Sequence, residues 1–144
     1  MREVVVVLVV GYDRHPASRA ALVFAGELAG ALNAPLHVVH VVDDADTAPP
    51  NSTSRDVDLD AECRHVADAL GDVQCTYHRL RGDSASVLLQ AARQHGASML
   101  IVGRPEQGIG AAFGHMITGN VARNLLRCGD RPVVVVPPFG TVPR

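Results

Sequence analysis

Two stretches of this chain carry residue types that could do chemistry. The first is "VVVGYDRHPAS", where Asp13 stands a few residues beyond the apolar run Val4–Val10. An ionised carboxylate only accepts hydrogen bonds, and its two oxygens can take them from two adjacent hydroxyls such as those of a ribose. The same oxygens could instead cap the helix whose first turn Pro16 pre-sets. The second stretch is "VGRPEQGIGAAFGHMITGN", residues 102–120, with five glycines in nineteen positions. Glycine serves where φ is positive or where a group must come close to the backbone. N–H groups at Gly108, Gly110 and around Gly119-Asn120, where a helix begins, would suit a phosphate; glycines that merely permit tight turns are the plain alternative. Two residues oppose the phosphate reading. Pro105 deletes one N–H donor, and Glu106 would repel a triphosphate by about 1 kcal/mol or more, which an inward-pointing Arg104 would offset in part.

The other reactive side chains carry less. His37 and His40 lie three apart on a predicted strand and face opposite ways, so they cannot chelate together. His65, His78, His95 and His115 fall on different elements with no i,i+4 pair, so the expectation is scattered histidines and no metal site. His15, beside Asp13, reads as a solvent-facing loop residue before it reads as a base, and His115 as a solvated loop residue before a phosphate contact. Ser18, Ser84 and Ser86 sit in first helical turns, and none belongs to a G-x-S-x-G elbow. There is no G-x-x-x-x-G-K-[ST] loop, and all 13 basic residues are arginine, so no lysine is available for phosphate. No residue is assigned a catalytic role, and an efficient enzyme is not expected. Slow nucleotide hydrolysis would need a base and a metal carboxylate that the sequence does not supply. Cys63, Cys75 and Cys128, odd in number and far apart, read as buried free thiols in a reducing compartment.

These residues need a scaffold. Five β-branched runs stand out: Val4–Val10, Leu36–Val42, Val73–Leu80, Met99–Val102 and Pro132–Val136. The first, second and fifth are almost unbroken valine, as in strands buried on both faces of a parallel sheet. The third alternates and reads as a half-exposed edge. Between them lie four helical patterns. The first starts at Pro16, with Ala21, Leu22, Ala25, Leu28, Ala29 and Leu32 inward, and stops at Asn33-Ala34-Pro35. A weaker one runs from about Leu59 to Leu70. The third is capped by Ser84 or Asp83, buries Val87, Leu88, Ala91 and Ala92, and ends at Gly96. The fourth covers about Thr118 to Cys128, with Val121, Ala122, Leu125 and Leu126 inward. Strand and helix alternate throughout, which predicts one α/β, Rossmann-like, doubly wound domain over residues 1–144. The acidic, Pro/Ser/Thr-rich segment Asp43–Asp58 reads as a mobile loop inside it.

In such sheets the ligand lies beyond the carboxyl ends of the strands, where the strand order reverses. Gly11, Tyr12 and Asp13 follow the first strand, Val41 ends the second, and Gly103 and Arg104 open the glycine loop after the fourth. Val41 is core by default, or else its backbone N–H and C=O meet an adenine edge.

Bulk composition narrows the classes further. A net charge of −2, scattered basic residues and 3% aromatics argue against a nucleic-acid surface. No stretch approaches the ~18 apolar residues of a membrane span. "MREVVVVLVVGYD" lacks a basic n-region and a cleavage site, so it reads as a strand of a cytoplasmic protein.

Taken together, "VVVGYDRHPASRAALVFA", "LHVVHVVD", "LRGDSASVLLQAARQHGASMLIVGR" and "VARNLLRCGDRPVVVVP" resemble the universal stress protein family, adenine-nucleotide α-hydrolase-like in fold. The resemblance implies strand order 3-2-1-4-5, a regulatory role in stress response, and an adenine nucleotide (ATP or AMP, with Mg²⁺ as a conceivable companion). Asp13 would hold the ribose, Val41 the base, and Gly103 to Asn120 the phosphates. ATP-binding members carry Gly, two residues, Gly, nine residues, then Gly with Ser or Thr. Here Glu106 stands three positions after Gly103, ten residues separate Gly108 from Gly119, and Asn120 replaces the hydroxyl residue. No register satisfies that pattern. The alternatives are a non-nucleotide interaction module of the same fold and a weak nucleotide hydrolase. In the implied order Pro132–Val136 is an exposed edge, and pairing with its copy in a homodimer would remove that hazard.

Overall fold

The computed structural model describes residues 5–12, 16–42, 73–104 and 119–137, with Ala61, Arg64, His65 and Asp68. Five strands form one parallel sheet: β1 (Leu8–Gly11), β2 (Leu36–Val42), β3 (Cys75–Arg81), β4 (Met99–Gly103) and β5 (Val133–Val136). Their order is β3-β2-β1-β4-β5, as expected. Among the described residues three helices cover the sheet: α1 (Pro16–Leu32), α2 (Ser84–Gln94) and α3 (Gly119–Cys128). Of the expected helix Leu59–Leu70, the four described residues are helical. The Asp43–Asp58 segment lies outside the described residues.

The unbroken valine runs follow from this layering. Leu8, Val10, Leu36, Val38, Ile101 and Val136 face α1, while their neighbours Val9, Val39, Val41, Leu100 and Val102 face α2 and α3. Successive strand residues therefore enter two separate cores, and both sets must be apolar. β3, at one edge, is only partly buried along its length.

β1 begins later than the valine run suggests. Residues 5–7 are not strand, and Val5 is 68% exposed. The cause is the register: Leu8 is the first residue to face a partner on either side, Leu36 of β2 and Met99 of β4. Valine alone cannot make a ladder.

Two helices end in a Schellman turn. In α1, Asn33 adopts φ 52°, its N–H meets Gly30 O at 3.3 Å, and Ala34 N–H donates to Ala29 O at 2.9 Å. In α2, Gly96 takes φ 64°, and Gly96 and Ala97 donate to Arg93 O and Ala92 O. At its other end Asp83 is the cap, accepting from Ser86 N at 3.1 Å. Two expected core residues are exposed, and Leu28 is half-buried. Leu32, the last residue of α1, is 45% exposed, and Leu126 is 63% exposed. Leu126 is one position, about 100°, from the fully buried Leu125, and the apolar stripe of this helix is centred so that Leu126 falls outside it. Val87 is half-buried rather than buried, and so is Cys75, a free thiol.

Candidate functional site

β1 pairs with β2 on one side and with β4 on the other. The sheet thus grows one way from β1 to β3 and then resumes on the opposite flank, which makes the carboxyl ends of β1 and β4 the topological switch point. α1 and α2 follow the carboxyl ends of β1 and β3, and α3 runs back toward the amino end of β5. All three helix N-termini, each carrying about half a positive charge, therefore lie on the carboxyl side of the sheet.

Around that switch point the described candidates have distinct places. Gly11 is buried and ends β1 opposite Val39. Tyr12 is 1% exposed and belongs to the core beside α1, and its N–H donates to Val39 O at 2.9 Å. That side chain is a wall of the scaffold. Val41 buries its side chain toward α2, but its backbone is placed otherwise. Val39 O accepts from Tyr12 on the β1 side, and Val42 O accepts from Gly82 on the β3 side. Strand alternation then turns the backbone groups of Val41 toward β1, past the last residue paired with that strand. Gly103 is buried and closes β4 against Val136. The Arg104 N–H donates to Val136 O, and the residue itself is exposed. Gly119 and Asn120 open α3. Asp13, Gly108 and Gly110, like Pro105 and Glu106, lie outside the described residues.

A second cluster was not foreseen. His37 of β2, His78 of β3 and His95, the C-cap of α2, meet at the far end of the molecule from the switch point. The Nδ1 atom of His37 lies 2.9 Å from Nε2 of His78, so one ring donates and the other accepts. The rings of His37 and His95 stack with centroids 4.0 Å apart. Burial, then the charges of His95 and His78, lower the pKa of His37; burial, then His95, lower that of His78. The expectation of scattered histidines therefore fails for these three. His37 and His40 do face opposite sides as expected, His40 meeting Tyr77 Oη at 3.1 Å on the α1 face. The missed signal is the parallel register, which sets His37 opposite Thr76 and so one diagonal step from His78.

A five-stranded parallel sheet of this order, wound on both faces, defines a Rossmann-like α/β protein. The universal stress protein family model matches residues 7–137, and the chain belongs to that family. Among similar solved structures, a universal stress protein in complex with cAMP is 22% identical, with TM-score 0.72 and coverage of 94% of this chain and 99% of that one. A family member from Burkholderia pseudomallei is 29% identical, with TM-score 0.61 and coverage of 91% and 95%. A universal stress protein from Archaeoglobus fulgidus in complex with dAMP is 19% identical, with TM-score 0.69 and coverage of 91% and 97%. No curated protein sequence matches significantly. Among the described residues, no helix is long and apolar enough to cross a membrane.

Proposed function

We propose that this universal stress protein binds one adenine nucleotide at the carboxyl ends of β1, β2 and β4 and acts as a regulatory module in stress response rather than as an efficient enzyme. The observation that carries this reading is the placement of Val41. Its backbone N–H and C=O turn toward the β1 side at the carboxyl end of the sheet, where they would be the donor and acceptor offered to an adenine ring. Relatives solved with cAMP and with dAMP support the same ligand class. Asp13 would accept from ribose hydroxyls, and the loop from Gly103 to Asn120 with the α3 N-terminus would receive the phosphate.

The loop chemistry selects among adenine nucleotides. Pro105 has no N–H to give, and Glu106 adds a negative charge near the site where β- and γ-phosphates would lie. AMP therefore fits this chain better than ATP. A thermal-shift series tests both points. AMP at 100 times its Kd should stabilise the fold by about 2.7 kcal/mol, more than ATP at equal concentration, and Asp13→Ala should remove the shift while leaving the unliganded melting temperature unchanged. Silence of the parent toward AMP, ADP, ATP and cAMP would instead support an interaction module.

We also propose a two-fold homodimer through β5. Its partner on one side is β4, Val135 is 37% exposed, and an open valine edge favours pairing with its copy.

A further inference from the structure

We propose that His37, His78 and His95 form a binding site for one divalent transition-metal ion of the zinc type, remote from the nucleotide crevice. The argument starts from the ligand atoms. One nitrogen from each ring lies within 4.8 Å of the other two. Tetrahedral coordination at Zn–N distances of about 2.0–2.1 Å places ligand nitrogens roughly 3.3 Å apart. The His37–His78 pair is already at 2.9 Å; to complete the set His95 must turn out of its stack on His37, because a metal lies in the plane of each imidazole that binds it.

The scaffold holds the three rings in place. His37 and His78 are fixed by the paired ladder of β2 and β3, with Val39 facing His78. His95 is fixed by the Schellman turn at the end of α2. Arg131 ties down that same end, donating from Nη1 to Ala92 O at 2.8 Å and to Ala97 O at 2.9 Å. Three ligands leave a fourth position for water or another donor.

The donor set also selects the ion. Imidazole nitrogens suit Zn²⁺, Co²⁺, Ni²⁺ and Cu²⁺, whereas Mg²⁺ and Ca²⁺ require oxygen. Binding replaces the hydrogen bond between His37 and His78. The shared proton moves to the other nitrogen of the donor ring, and both facing lone pairs then point at the metal. Cys75 takes no part, because it packs into the α1 core while His78 lies on the other face of β3.

The test uses the full chain without a histidine tag, at pH 7.5. Equilibrium dialysis with Zn²⁺ should give one ion per chain, and Co²⁺ should give visible absorption bands of tetrahedral intensity. His95→Ala, at the end of a helix, should weaken Zn²⁺ binding at least tenfold, and His37→Asn likewise, whereas His40→Asn and His65→Asn should leave it unchanged. Should His37→Asn fail to fold, the imidazole resonances of the parent serve instead: Zn²⁺ should shift three rings and EDTA should restore them. Equal affinity in the parent and His95→Ala, no uptake by the parent, or shifts confined to other histidines would each overturn the proposal.

Discussion

The imidazoles of His37 and His78 are partly withdrawn from water and packed against a third ring, so protonating either one costs more in the folded chain than in the unfolded one. Their folded pKa values lie below the ordinary 6.5, and the unfolded state therefore binds more protons as the solution is acidified through that range. Stability from this source is complete above pH 6.5 and declines as pH falls below it. A melting series from pH 7.5 to pH 5 should show the decline, and His78→Gln should flatten it. A slope identical in parent and variant would mean that the cluster does not set it. None of this was legible from spacing, because residues 37, 78 and 95 are neighbours only through strand register and a helix end. Asp130 shows the opposite case. Its hydrogen bond from Arg131 lowers its pKa, but the carboxylate is exposed and little stability rides on it.

At the scale of elements, the C-terminal end of α2 is where local chemistry does most. Gly96 supplies the left-handed residue of the turn, and a Cβ there would meet no neighbouring atom. Gly96→Ala should therefore cost about 1 kcal/mol through backbone conformation alone, read as a lower urea midpoint with an unchanged m-value. Arg131→Met removes two donors from the carbonyls of Ala92 and Ala97 and should cost about 1–3 kcal/mol by the same assay. A loss below 0.5 kcal/mol would show that water replaces the guanidinium freely. Helix positions and caps were readable in advance, since Pro16, Asp83 and Gly96 are strong punctuation. Burial at their margins was not. Periodicity alone leaves the centre of the apolar stripe undetermined, so Leu126 looked as inward as Leu125, and the valines before Leu8 looked as strand-like as those after it.

Across the whole molecule, strand alternation with unbroken apolar runs sufficed to predict a parallel doubly wound sheet. The order β3-β2-β1-β4-β5 came from family resemblance and agrees with the structure. Among the described residues the outer edge of β5 has no partner strand, which makes a specific prediction. Pro132 O accepts from Leu100 and Val136 O from Arg104, so the even-numbered residues of β5 face β4, and the N–H groups of Val133 and Val135 face outward. Val135→Pro removes one outward donor without touching the inner ladder. Light scattering should show the parent as a dimer and this variant as a folded monomer; a variant that stays dimeric would place the interface elsewhere. For the site, the sequence located the switch-point segments, while the direction of the Val41 backbone emerged only from the hydrogen bonds around it. The nucleotide crevice is the claim on which the functional account stands. Calorimetric titration of AMP into the nucleotide-free chain tests it most directly. The account predicts one saturable site per chain, weakened at least tenfold by Asp13→Ala; no heat of binding at AMP concentrations that saturate a millimolar site would contradict it.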